Sequence, residues 1–148
     1  DVLPELQSMT SRRLILDIVG KGWPVEYEKI NPQNEIKLRG FVEYLPDAVC
    51  GTIMIVPILS GSGMRMKILE AAALGVPFIT TTVGVEGLKF KDKESCIIAD
   101  TSEDFAKGLA LLMEDELLRQ QLTQNASKVF EENYSVESLS AVRNRVYQ

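Results

Sequence analysis

A chain of 148 residues, 45% hydrophobic and 25% charged, has the length and composition of one globular domain with a real core. Its net charge of −5 argues against a nucleic-acid surface, and the lack of histidine excludes a Ser-His-Asp or Cys-His mechanism, or a histidine metal site, built from this chain alone. No apolar run approaches the ~18–20 residues that span a bilayer, and the opening DVLPELQSMT lacks a basic-then-apolar signal, so the cytoplasm is the expected compartment.

The chain opens without methionine inside what reads as a helix, which suggests an excised fragment. Leu14 to Val19 reads as a strand with Gly20-Lys21-Gly22 as its turn, Val25 to Ile30 as a short helix, and Glu35 to Leu38 as a strand opening into Gly40-Phe41-Val42. Thr52 to Pro57 is a buried strand and Leu59 to Gly63 a turn. Met64 to Leu74 is a helix that Gly75 ends with a left-handed cap. Pro77 to Thr80 is the next strand, Thr81 to Gly87 a turn, and Ser95 to Ala99 another strand. Thr101 and Asp104 form a capping-box-like start for a helix through Met113, and Glu114 to Glu131 and Ser135 to Tyr147 make a helical tail. Cys50 and Cys96 show no CxxC spacing and read as reduced, buried side chains. There is no linker, repeat or low-complexity segment.

Strands alternating with helices over short connections imply an α/β fold, a parallel sheet covered by helices on both faces. Ligands in such sheets sit beyond the carboxyl ends of the strands. The turns at Gly20 to Gly22, Gly40 to Val42, Leu59 to Gly63 and Thr81 to Gly87 fall on that edge. Gly20-Lys21-Gly22 matches neither GxGxxG nor GxxxxGKS, and as turn glycines these residues need no function.

The stretch VPILSGSGMRMKILEAAALGVPFITTTVGVEG is the most informative part of the chain. It sets a glycine-serine turn before a helix start, where unpaired N–H groups and about half a positive charge favour an anion. Gly61 and Gly63 let the backbone come close to a phosphate oxygen. Glu70 lies roughly 9 Å along the helix from Met64, with its side chain leaning back toward the phosphate end. Two readings of Glu70 are open: it accepts hydrogen bonds from ribose hydroxyls one unit along the ligand, or it forms an i,i+3 ion pair with Lys67 on a solvated face. Arg65 and Lys67 cannot share one face; Arg65, in the first turn, is assigned to the phosphates and Lys67 to Glu70.

The run GSGMRMKILEAAALGVPFITTTVGVEGL resembles the donor-site signature of retaining nucleotide-sugar glycosyltransferases of the group 1, or family-four, type. These enzymes have the GT-B architecture of two Rossmann-like domains. LILDIVGKG and IKLRGFVEYLPDAVCGTIMIVPI before the run, and CIIADTSEDFAKGLALLMEDELLRQQL with NYSVESLSAVRNRVY after it, follow the C-terminal domain of that family in order, so the resemblance covers nearly the whole chain. It implies a Rossmann-like half of a GT-B protein, residues 1–148, that binds a nucleoside-diphosphate sugar without cofactor or metal and serves retaining transfer to an acceptor glycan, lipid or protein. The implied donor-binding residues are Gly20, Gly22, Phe41, Val42, Gly61, Ser62, Gly63, Met64, Arg65, Lys67 and Glu70, with Phe41 and Val42 at the nucleobase unless they are core residues at a strand end. Glu86 resembles a family position near the donor. Catalytic residues are not assigned. One departure is Ser62, which stands where many members have a sugar-contacting glutamate and which reads equally well as a helix N-cap.

The resemblance further implies that the N-terminal acceptor domain and the family's opening strand are absent, so that this fragment binds without catalysing. Peripheral membrane contact stays open for the full-length protein. Two alternatives remain at this point: a non-catalytic sugar-nucleotide binding module, and an unrelated α/β regulatory module.

Overall fold

Every strand expected from the alternation is present, and every strand pairing is parallel. The computed structural model describes residues 2–20, 22, 35–61 and 65–140. The strands are β1 (Ile15–Val19), β2 (Glu35–Gly40), β3 (Met54–Val56), β4 (Phe78–Thr80) and β5 (Ile97–Ile98). Their hydrogen-bonded ladders fall into two sets, β1–β2 and β3–β4–β5. The alternation of elements reveals parallel strands but not their neighbours, which tertiary packing decides.

The helices are α1 (Val2–Met9), α2 (Leu45–Val49), α3 (Met66–Ala73), α4 (Thr82–Val85), α5 (Ser102–Glu114) and α6 (Glu116–Asn133), with a further helical turn at 136–140. The expected helix Val25–Ile30, and the tail beyond residue 140, lie outside the described residues. Two helices carry no periodicity that a sequence could reveal. α2 is five residues long with Pro46 in its first turn, and α4 is four residues long inside the expected turn at Thr81 to Gly87.

Because successive side chains of a strand point to opposite faces, β4 feeds two cores. Ile79 joins Ile97, Leu6, Phe105, Leu109, Leu112 and Leu122 on the face covered by α1 and α5. Phe78 joins Val56, Cys96, Ile68, Ala71, Ala72 and Ala126 on the face covered by α3 and α6. All three residues of β4 are buried, as the central strand of its set requires. Gly108 lets α5 lie directly on the sheet: a Cβ there would sit 2.7 Å from Ile79 Cδ1 and 2.8 Å from Ile97 Cγ2.

Gly75 acts as expected. With φ +64 it follows the last turn of α3, its N–H donates to Ala72 O at 3.3 Å, and the Val76 N–H donates to Ala71 O at 2.9 Å, the paired bonds of a Schellman motif. The cysteine expectation needs one correction. Cys96 is buried, and burial, with Asp92 nearby, pushes its thiol up to about 12. Cys50 is exposed because it caps the carboxyl end of α2 rather than lining a strand.

Candidate functional site

The chain leaves β3 into a turn that neighbouring elements hold by its carbonyls. Thr80 Oγ1 donates to Val56 O at 2.9 Å, and Thr81 Oγ1 donates to Ile58 O while accepting from the Gly84 N–H at 3.0 Å. Gly61 has φ +124, a conformation that favours glycine. Arg65 then closes the turn: its Nη2 donates to Gly61 O at 2.7 Å. Its own carbonyl accepts from Ile68 N at 3.0 Å and Leu69 N at 3.3 Å, which starts α3. The N-cap is therefore Arg65 (φ −82, ψ 51), and α3 begins at Met66 and not at the expected Met64. Ser62, Gly63 and Met64 themselves lie outside the described residues.

The start of α3 is electrically unusual. Negative groups are favoured at helix N-termini, and α1, α2, α5 and α6 follow the rule with Glu5, Asp47, Glu103 with Asp104, and Glu116 in their first turns. α4 is capped by the Thr81 hydroxyl. Among the described helices, α3 alone has neither a first-turn acid nor a capping side chain, and it begins with two cations, Arg65 and Lys67. Arg65 is 9% exposed and has no carboxylate partner among the described residues. A buried guanidinium whose partner among the described residues is a carbonyl brings positive charge to the turn, a setting matched by an anion.

Lys67 reaches Glu70 as expected, Nζ to Oε2 at 2.8 Å. Glu70 is therefore an ion-pair partner, and its Oε1 accepts no hydrogen bond from the described residues. Gly61, Arg65, Lys67 and Glu70 thus form one group on the turn and first turns of α3. Gly20, Gly22 and Phe41 belong to the other ladder, where Gly20 N donates to Gly40 O at 2.7 Å and joins the turns after β1 and β2. Gly20 and Gly22 have φ of 141 and 84, which explains both glycines without a ligand; Lys21 between them lies outside the described residues. Phe41 is 68% exposed, so it is not a core residue; Val42 is half-buried.

Sequence reasoning missed the threonine run at the end of β4. Thr80 and Thr81 fasten the β3 turn, and Thr82 presents its N–H to Asp100 Oδ1 at 2.8 Å and its hydroxyl to Asp100 Oδ2 at 2.6 Å. These donors hold the Asp100 carboxyl below its ordinary pKa. Three successive hydroxyls at a strand end were the available signal. Glu86 is exposed at the end of α4. A groove of about 910 Å³ opens at the other, amino ends of the strands, beside Thr52, Ile53, Val76 and Pro77, away from this group. Among the described residues no cluster of three or more acidic or cysteine side chains could hold a metal ion, and no helix is long and apolar enough to cross a membrane.

The family model described as Glycosyl transferases group 1 matches residues 1–115. Among solved structures, HepE from Anabaena in complex with UDP and glucose superposes with a TM-score of 0.78 at 14% identity, over 99% of this chain and 44% of that one. A glycosyltransferase from Rickettsia africae gives 0.76 at 16% identity, over 99% of this chain and 42% of that one. The C-terminal domain of the group 1 glycosyl transferase LpcC from Francisella tularensis gives 0.57 at 17% identity, over 92% of this chain and 94% of that one. The chain spans less than half the length of the first and second of these. At these identities the likeness shows a shared fold, a domain of the GT-B architecture. No curated protein matches.

Proposed function

Because the chain belongs to the glycosyl transferases group 1 family, we propose that residues 1–148 form the domain that binds a nucleoside-diphosphate sugar in a retaining glycosyltransferase. The observation that carries this reading is the start of α3: two cations, no first-turn acid and no capping side chain, at the carboxyl end of a parallel strand. Such a helix end is unfavourable alone and favourable with a diphosphate on it.

In this reading the diphosphate lies against the turn of Gly61, Ser62, Gly63 and Met64, with Arg65 beside it. Glu70 takes the ribose hydroxyls, and Phe41 and Val42, with Gly20 and Gly22, border the nucleobase end. When the sugar leaves, negative charge grows on the diphosphate. Fixed donors already aimed at that place stabilise it without rearrangement, which is electrostatic catalysis of a leaving group. The UDP and UDP-glucose held by HepE support a nucleotide ligand for this fold. Transfer itself, and an acceptor glycan, lipid or protein, are assigned to a full-length protein of that size. The 148 residues alone are expected to bind and not to catalyse.

Thermal denaturation with a panel of nucleoside mono- and diphosphates and their sugars tests the reading. A ligand at 100 times its Kd stabilises by about 2.7 kcal/mol, a shift of several degrees for a domain of this size. Diphosphates should raise the melting temperature more than monophosphates. A panel in which no nucleotide shifts it at millimolar concentration removes the assignment.

A further inference from the structure

The described lysine–glutamate pairs are not equivalent. Lys91–Glu94, Lys107–Glu103 and Lys128–Glu132 use glutamates whose side chains are 58–66% exposed, as solvated pairs do. What differs is burial and not length: Glu70 is only 32% exposed, while its 2.8 Å pair with Lys67 is no shorter than the 2.6 Å pair of Lys107 with Glu103. Helix stability does not account for Lys67. It stands in the first turn of α3, where a cation opposes the helix dipole, and lysine preceding glutamate is the weaker order for such a pair. The geometry instead links Lys67 to Glu70: Oε2 accepts from the Lys67 ammonium, while Oε1 accepts from none of the described residues.

We propose that Lys67 is a positioning residue that selects ribonucleotides, by holding the Glu70 carboxylate in the one orientation that presents Oε1 to a ribose hydroxyl. The inference rests on the donor-site reading above. A glutamate side chain has three rotatable bonds, and a free one must be ordered when ligand arrives, so a carboxylate already fixed by a neighbour binds more tightly. Lys67 lies one helical turn nearer the anion end than Glu70, so its ammonium sits between the two parts of the nucleotide that the site must recognise together, the first phosphate and the ribose.

The experiment compares UDP with 2′,3′-dideoxy-UDP by calorimetry on the wild type, Lys67→Met, Lys67→Arg and, as a control pair remote from the site, Lys107→Met. Thermal melts check that each variant is folded. The wild type should prefer UDP by at least about tenfold, the value of a hydrogen bond to a charged group. Lys67→Met should lower that preference about twofold, the scale of a partly exposed i,i+3 pair, Lys67→Arg should restore it, and Lys107→Met should leave it unchanged. A preference unchanged in Lys67→Met overturns the inference while leaving the donor site intact. Equal losses for both ligands overturn it too, because Lys67 then acts on the phosphates directly. A wild type that binds both ligands equally overturns the role of Glu70 and this inference together.

Discussion

The Arg65 guanidinium and the Gly61 carbonyl oxygen, 2.7 Å apart, tie the turn after β3 to the residue that starts α3. One side chain thus fixes the turn from its far side and leaves its other N–H groups without a carboxylate among the described residues. Arg65→Ala should weaken a nucleoside diphosphate more than its monophosphate, because the second phosphate adds the charge that a guanidinium matches. Gly61 is exposed, so water can replace the lost donor, and the stability cost should stay near the ~0.5–1.5 kcal/mol of a single net hydrogen bond. Titrations at two ionic strengths check the point: salt should weaken diphosphate binding to the wild type more than to the variant. The same diphosphate-to-monophosphate ratio in both proteins would make Arg65 a brace for the turn and nothing more.

Glu70→Ala should cost roughly 1.5–3 kcal/mol of nucleoside diphosphate affinity if Oε1 takes a ribose hydroxyl. The lower end is expected because a free ribose is well hydrated. The fold should hardly notice, since the pair with Lys67 is partly exposed and worth only ~0.2–0.5 kcal/mol to a helix. Calorimetry that finds unchanged affinity in a normally folded variant removes ribose recognition and leaves Glu70 as an ion-pair partner.

What the sequence made legible was whatever repeats with a local period or depends on a special residue. Gly75 announced its left-handed cap, Thr101 announced the start of α5 by accepting from Asp104 N at 3.1 Å, and Lys67 with Glu70 announced an ion pair by spacing alone. What stayed hidden depends on partners distant in the chain. Thr80 reaches Val56, Thr82 reaches Asp100, and Gly108 meets Ile79 and Ile97, contacts that no spacing encodes. Arg65 was legible as a cation beside the turn after β3. Its bond to the Gly61 carbonyl was not, because that depends on the path of the turn and not on residue type.

Gly108→Val should destabilise the domain by about 1–3 kcal/mol or more, the cost of forcing extra methyls into a filled core. Ile79 is fully buried and Ile97 nearly so, and the branched Ile97 side chain has little freedom to move aside. Since α5 lies on the face opposite α3, nucleotide affinity of the folded fraction should be unchanged. Denaturant melts read the first effect and calorimetry the second. A variant as stable as the wild type would mean that α5 can lift from the sheet at little cost.

The bond between Thr82 and Asp100 predicts a specific response to acid. The Thr82 hydroxyl first, and then its N–H, favour the ionised carboxyl and lower the Asp100 pKa from its ordinary 3.8. A carboxyl depressed in the folded state contributes stability that is fully present above its unfolded pKa and is lost as pH falls through the lower, folded value. Asp100→Ala should therefore differ most from the wild type near neutrality, and the gap between their melting temperatures should narrow as pH falls below about 4, the unfolded carboxyl value. Asp100 is exposed, so the gap should be small and sensitive to salt. Carbon-detected NMR of the Asp100 carboxyl should place its midpoint below 3.8 in the wild type and closer to 3.8 in Thr82→Ala, where both hydrogen bonds to the side chain are reduced to the N–H alone. A wild-type midpoint at or above 3.8, or a gap that does not change with pH, would show that Thr82 and Asp100 merely sit side by side.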